Sequence, residues 1–124
     1  MTSVKEERLI LEMGMGNDLY GMDYTKAAKR AIQDALLHSS IVMFKSLGIP
    51  HEEMRVQVTI GVQEPGKLDI AALVAELPRG RAEVTGVLGG LNVHDPDNDQ
   101  THVIATAAIE AYVPMDKNRW KLCG

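Results

Sequence analysis

A chain of 124 residues is long enough for one ordinary domain and too short for two. A formal charge of −4 supplies no basic field for a nucleic-acid backbone or an anionic membrane surface, and no apolar run approaches a membrane-spanning length. Phe44 and Trp120 are the sole members of their types, so aliphatic side chains and alanine must fill the core, and its elements must approach one another closely.

In chain order, RLILEM (8–13) reads as a short strand with Leu9, Leu11 and Met13 on one face and Ile10 and Glu12 on the other. GMGNDLYG (14–21) interrupts it. A long helix is predicted from about Asp23 to Leu47, with Ala28, Ala31, Ile32, Ala35, Leu36, Val42 and Met43 at helical spacing, Asp23 as its N-cap and LGIP as its stop. MRVQVTIGV (54–62) alternates strictly and predicts a strand with Val56, Val58, Ile60 and Val62 facing a core. QEPG (63–66) reads as a turn, and a short helix follows from about Asp69 to Leu77, ended by Pro78 and Gly80. RAEVTGVLGG (81–90) and THVIATAAIEAYV (101–113) are the third and fourth strands, and the polar LNVHDPDNDQ between them reads as a surface loop.

The order β-α-β-α-β-β predicts an α/β two-layer sandwich, a mixed four-stranded sheet with both helices on one face. Residues 1–124 form a single domain in this reading, with 1–7 and 115–124 peripheral. The opposite sheet face is left bare. On the last strand His102, Ile104, Thr106, Ala108, Glu110 and Tyr112 make a mixed row that suits an interface or a ligand wall better than bulk water, so a homo-oligomer is expected.

The glycine stretch matches neither a dinucleotide fingerprint nor a phosphate-binding P-loop, because Leu19 stands where the third glycine is needed and Gly21 precedes Met22 and Asp23. Two readings of it stay open. In one, the glycines allow a sharp turn, Asp18 accepts amide hydrogen bonds within it and Asp23 caps the helix. In the other, Gly14, Gly16 and Gly21 let a ligand approach the main chain beside Asp18, with metal-assisted or amine-containing ligands fitting better than bare phosphate.

At Gly14, Met15, Gly16, Asn17, Asp18, Leu19, Tyr20 and Gly21 the chain resembles a small family of uncharacterised proteins marked by a G-x-G-x-D-x-H-G motif, found in scattered bacteria and, with a long N-terminal extension, in plants. Both leading glycines, the aspartate and the closing glycine match, and Tyr20 holds the histidine place. The resemblance runs through DYTKAAKRAIQDALLHSS and EPGKLDIAALVAELPRG into VTGVLGG. It implies an intact family domain and brings no activity with it.

Other candidates are weaker. His94, Asp95 and His102, joined by Asp18, could hold a divalent ion, the one cofactor the residues suggest, although the spacing fits neither an EF-hand nor H-E-x-x-H. Glu12 and Glu110 stand in otherwise apolar strands, both expected to point away from the main apolar layer, either as acid/base groups or as ion pairs, for instance with Arg55. Ser39 and Ser40 lie inside a helix, and Cys123 is a lone cysteine near the end of the chain, so no nucleophile stands out. With no secretory signal in MTSVKEERLILEM, a cytosolic protein is expected.

Whether the protein is an enzyme stays open. The lead expectation is an oligomeric enzyme or enzyme-like binder of a small polar metabolite at a subunit interface, using acid/base chemistry as a lyase or hydrolase: Asp18 or Glu110 moves the proton, Tyr20 steadies developing charge, and Glu12 and the glycine amides bind. The alternatives are a non-catalytic oligomeric or regulatory module and a divalent-metal protein. Neither nucleic acid nor membrane is an expected partner.

Overall fold

Apolar alternation and capping produce most of the elements in the computed structural model, which describes residues 6–19, 21–37, 55–77 and 81–114. Strand β1 (Glu6–Asp18) leads to helix α1 (Tyr24–Leu37); strand β2 (Arg55–Val62), a 3-10 turn at 65–67, helix α2 (Ile70–Val74) and strands β3 (Arg81–Leu88), β4 (Leu91–Asp95) and β5 (Gln100–Pro114) follow. Asp23 caps α1 by accepting the Lys26 amide at 3.0 Å, and Asp69 caps α2 by accepting that of Ala72 at 3.1 Å. The sequence expectations at Tyr20, Ser39, Ser40, Cys123 and the helical stretch to Leu47 lie outside the described residues.

The mixed sheet has five strands, which corrects the expected four. The added strand is β4, cut from the segment read as a loop, and it pairs antiparallel with the start of β5 from Leu91↔Ile104 to Asp95↔Gln100. Its alternation is real, but its apolar members Leu91 and Val93 face away from the helices, while Asn92, on the helical side, donates to the Tyr24 hydroxyl at 2.8 Å. A polar residue in the inward register hides a strand from any search for apolar alternation.

The sheet order is β1-β5-β2-β3, with β4 beside β5. Because β5 is antiparallel to both β1 and β2, and β3 is parallel to β2, the strands β1, β2 and β3 all run the same way. Their exits therefore gather at one end of the sheet, where both helices begin. Gly90, at φ +61°, takes the chain from β3 to β4. A side chain there would collide with the Ile104 carbonyl as well as strain the backbone.

One core lies between the sheet and the helices. Val56, Val58, Ile60 and Val62 of β2 and Val103, Ala105, Ala107, Ile109 and Ala111 of β5 pack against Ala27, Ala28, Ala31, Ile32 and Ala35 of α1 and Leu73 of α2. The opposite face has no helix among the described residues. It is apolar at one end, with Met13, Met15, Val87, Leu91 and Val93 exposed, and polar at the other, with Glu110, Tyr112, Arg55 and Gln57. No helix among the described residues is long and apolar enough to cross a membrane.

Candidate functional site

Strand β1 runs unbroken through the glycines to Asp18, so GMGN is strand rather than turn. Gly14 and Gly16 face α1, where a Cβ on Gly14 would collide with the Ala31 carbonyl and the Ala35 amide, and one on Gly16 with the Ala31 amide and the Ala27 carbonyl. The absence of side chains at these two positions, met by alanines on the helix, lets strand and helix touch backbone to backbone. The two glycines thus serve a helix–strand contact in this structure, and their Cα atoms are turned to the protein interior.

Asp18 ends the strand, and its side chain is only 5% exposed. Oδ2 accepts the amides of Gly21 at 3.2 Å and Asp23 at 2.9 Å, which closes the connection into α1. Within that connection Met22 has φ 48°, a left-handed conformation that is costly for a side-chain-bearing residue. Gly21 leaves room for the carboxylate, since a Cβ would sit 3.2 Å from Oδ2. The turn reading of Asp18 and Asp23 therefore describes what their side chains do here.

A polar stripe on α1, off its apolar face, completes this corner. Lys26, Arg30 and Asp34, spaced four apart, share one helical face. Lys26 Nζ and Arg30 Nη1 lie 3.9 and 3.8 Å from Asp18 Oδ1; Arg30 also donates to the Asn17 carbonyl at 2.6 Å, and Asp34 accepts the Met15 amide at 3.0 Å. The outward-facing backbone of β1 is closed by helix side chains at these points, a local protection of an edge strand. The i, i+4, i+8 spacing is the signal that could have revealed it. An open cleft of about 470 Å³ lies against Asp18, Gly21, Asp23, Lys26 and Arg30.

The remaining candidates are dispersed. Glu110 sits on the open face opposite Leu11, whereas Glu12 pairs with core-facing Ile109, so the two carboxylates are on opposite faces and not on one as expected. Glu110 accepts from the Tyr112 hydroxyl at 2.7 Å and from Arg8 at 3.1 Å. The Tyr112 hydrogen bond first and the Arg8 guanidinium second hold its carboxyl below the ordinary glutamate value. Arg55, the partner named from sequence, stacks on the Tyr112 ring at 4.3 Å, and its charge also favours the ionised Glu110.

Asp95 shapes the β4–β5 turn by accepting from the Asn98 side chain and the Asp97 amide, which lower its pKa. His94 lies near Thr101 and Asp99, and His102 Nδ1 is 2.9 Å from the Leu19 carbonyl, to which it donates. Among the described residues no group of three or more His, Cys, Asp or Glu side chains is gathered for a metal ion.

A second polar cluster escaped the sequence reading. The Tyr24 hydroxyl, buried at the start of α1, donates to Glu64 at 2.8 Å and accepts from Asn92, while Lys67 lies 3.3 Å from the same carboxylate. The hydroxyl first and Lys67 second lower the pKa of Glu64. This latch joins α1, the segment after β2, and β4.

With this geometry in view, the chain is similar to other proteins in both sequence and fold. The family model described as conserved hypothetical protein (Lin0512_fam) matches residues 8–111. The crystal structure of an FtsZ-like protein of unknown function from Nostoc punctiforme is similar at 31% identity and a TM-score of 0.78, over 91% of this chain and 100% of that one. No curated protein matches the chain.

Proposed function

The chain belongs to the Lin0512_fam family of conserved hypothetical proteins, and we propose that it works as a homo-oligomeric module whose subunits meet through the open face of the sheet. The observation that carries this reading is the apolar end of that face, where Met13 is 68% and Met15 60% exposed. Exposed methionines grouped with Leu11, Val87, Leu91 and Val93 on a sheet surface favour burial against another apolar surface. The adjacent edge of β1 is closed at Met15 and Asn17 by Asp34 and Arg30, which leaves face-to-face packing as the open route at that corner. The Nostoc protein is itself of unknown function and lends support to the fold without adding an activity.

Proton donation by Glu110 forms no part of this reading. Its two donors keep it ionised near neutral pH, where it has no proton to give. Light scattering on the purified chain tests the proposal. The wild type is expected to run as a closed oligomer, and Met13→Asp combined with Met15→Asp as a folded monomer. A monomeric wild type at micromolar concentration, or an intact oligomer in the double variant, overturns it.

A second reading, small-molecule binding at the exit of β1, is favoured by one observation: the cleft of about 470 Å³ beside the buried Asp18. Native mass spectrometry that detects a small molecule retained on the wild type and absent from Lys26→Gln would support it.

A further inference from the structure

The two oxygens of Asp18 are in different situations. Oδ2 is committed to the amides of Gly21 and Asp23. Oδ1 receives no hydrogen bond from any described residue, and its nearest cations, Lys26 and Arg30, stand 3.9 and 3.8 Å away, beyond direct hydrogen-bond reach. All three groups border the same cleft. A carboxylate oxygen open to the cleft, with no hydrogen bond from a described residue and two cations around the same volume, suits a molecule that brings both a donor and a negative charge.

Local charge narrows the class. Asp18 and Asp23 balance Lys26 and Arg30, so the cleft has no net positive charge with which to hold a multiply charged phosphate. A single carboxylate between the two cations, with a neighbouring ammonium or hydroxyl directed at Oδ1, gives each group a partner. We propose that this cleft binds a small carboxylate bearing an α-amino or α-hydroxyl group. The assignment rests on the small-molecule reading above and is independent of the subunit interface.

The test uses acetate, glycolate and glycine, which share a carboxylate and differ in the α-donor, titrated into the isotopically labelled full chain and followed by amide shifts at Gly21, Asp23 and Lys26. Glycolate and glycine are expected to bind saturably and at least about tenfold tighter than acetate, the usual scale of one charge-assisted hydrogen bond. In Asp18→Asn the amide oxygen can keep the turn while the amide nitrogen replaces Oδ1 as a donor, so the preference over acetate should vanish and acetate itself should bind more tightly. Lys26→Gln, which disturbs no described hydrogen bond, should weaken all three probes.

Equal affinity for the three probes overturns the ligand class while leaving a binding cleft in place. No saturable shift at these amides with any probe overturns the small-molecule reading and the class with it. If Asp18→Asn fails to fold, Lys26→Gln together with the wild-type ranking decides the matter.

Discussion

Tyr24 and Tyr112 each donate a hydroxyl hydrogen bond to a glutamate, at 2.8 and 2.7 Å, and each pair has a cation beside it, yet they occupy different faces of one sheet. Tyr24 is 2% exposed under the helical layer, where its hydroxyl also serves Asn92 and so ties three segments together. Tyr112 lies on the open face, where Arg8, Glu110 and Arg55 form a surface network around it. The same hydroxyl–carboxylate bond latches three segments together where the tyrosine is buried, and joins side chains of one sheet face where the tyrosine is partly exposed. The contrast extends to the apolar residues: along β1 the covered face is trimmed to glycine against the alanines of α1 so that backbones touch, while its open face carries long, adaptable methionines.

The hardest test of this contrast compares neighbours on β1. Gly16→Val would drive side-chain atoms into the α1 backbone, which cannot yield without moving the whole helix. A loss of about 3 kcal/mol or more in urea unfolding is expected. Met15→Ala, one residue away on the other face, should change the folding free energy of the separated subunit by less than about 0.5 kcal/mol. Comparable losses in the two variants would remove the distinction between the faces.

A smaller effect separates the two tyrosines. Tyr24→Phe leaves Asn92 without its acceptor and should cost about 1–2 kcal/mol in the same unfolding measurement. Tyr112→Phe should cost clearly less. If the order reverses, the open-face network contributes more to folding than its exposure suggests, and that face is not a surface held ready for another subunit.

The parts of the fold that were legible in the sequence are those where one element reports its own environment. The alternation from Val56 to Val62, the alanine stripe of α1 and the aspartate cap at 23 each follow from local pattern. Strand β4 was not legible because Asn92 fills its inward register, and its partner, the Tyr24 hydroxyl, is distant in sequence. The G-x-G-x-D stretch misled for a related reason. Glycines permit a turn, a ligand's approach or another backbone's approach, and only the location of Ala27, Ala31 and Ala35 in space selects the last. For the candidate site, Asp18 was identified and its amide partners anticipated, but Lys26 and Arg30 were not, because a charge on a helix does not reveal that a buried carboxylate lies beneath it.

The smallest expected effect is one of pH. The Glu110 carboxyl titrates below its ordinary value, chiefly through the Tyr112 hydroxyl and then Arg8. In the unfolded chain the same group takes up its proton at the ordinary value, so between the two the unfolded state holds more protons and stability rises with pH. The contribution is complete above the ordinary glutamate value and is lost as pH falls through the lowered one. Glu64 obeys the same sign through Tyr24 and Lys67. Carbon-detected titration of the two glutamate carboxyls should therefore show the Glu110 midpoint rising in Tyr112→Phe while that of Glu64 stays in place, and the converse in Tyr24→Phe. If the open face is also the subunit contact, protonating Glu110 frees Arg8 within that contact, so oligomer mass should fall over the Glu110 titration in the wild type and lose that dependence in Glu110→Gln. A mass that follows Glu64 instead would place the contact on the helical side of the sheet.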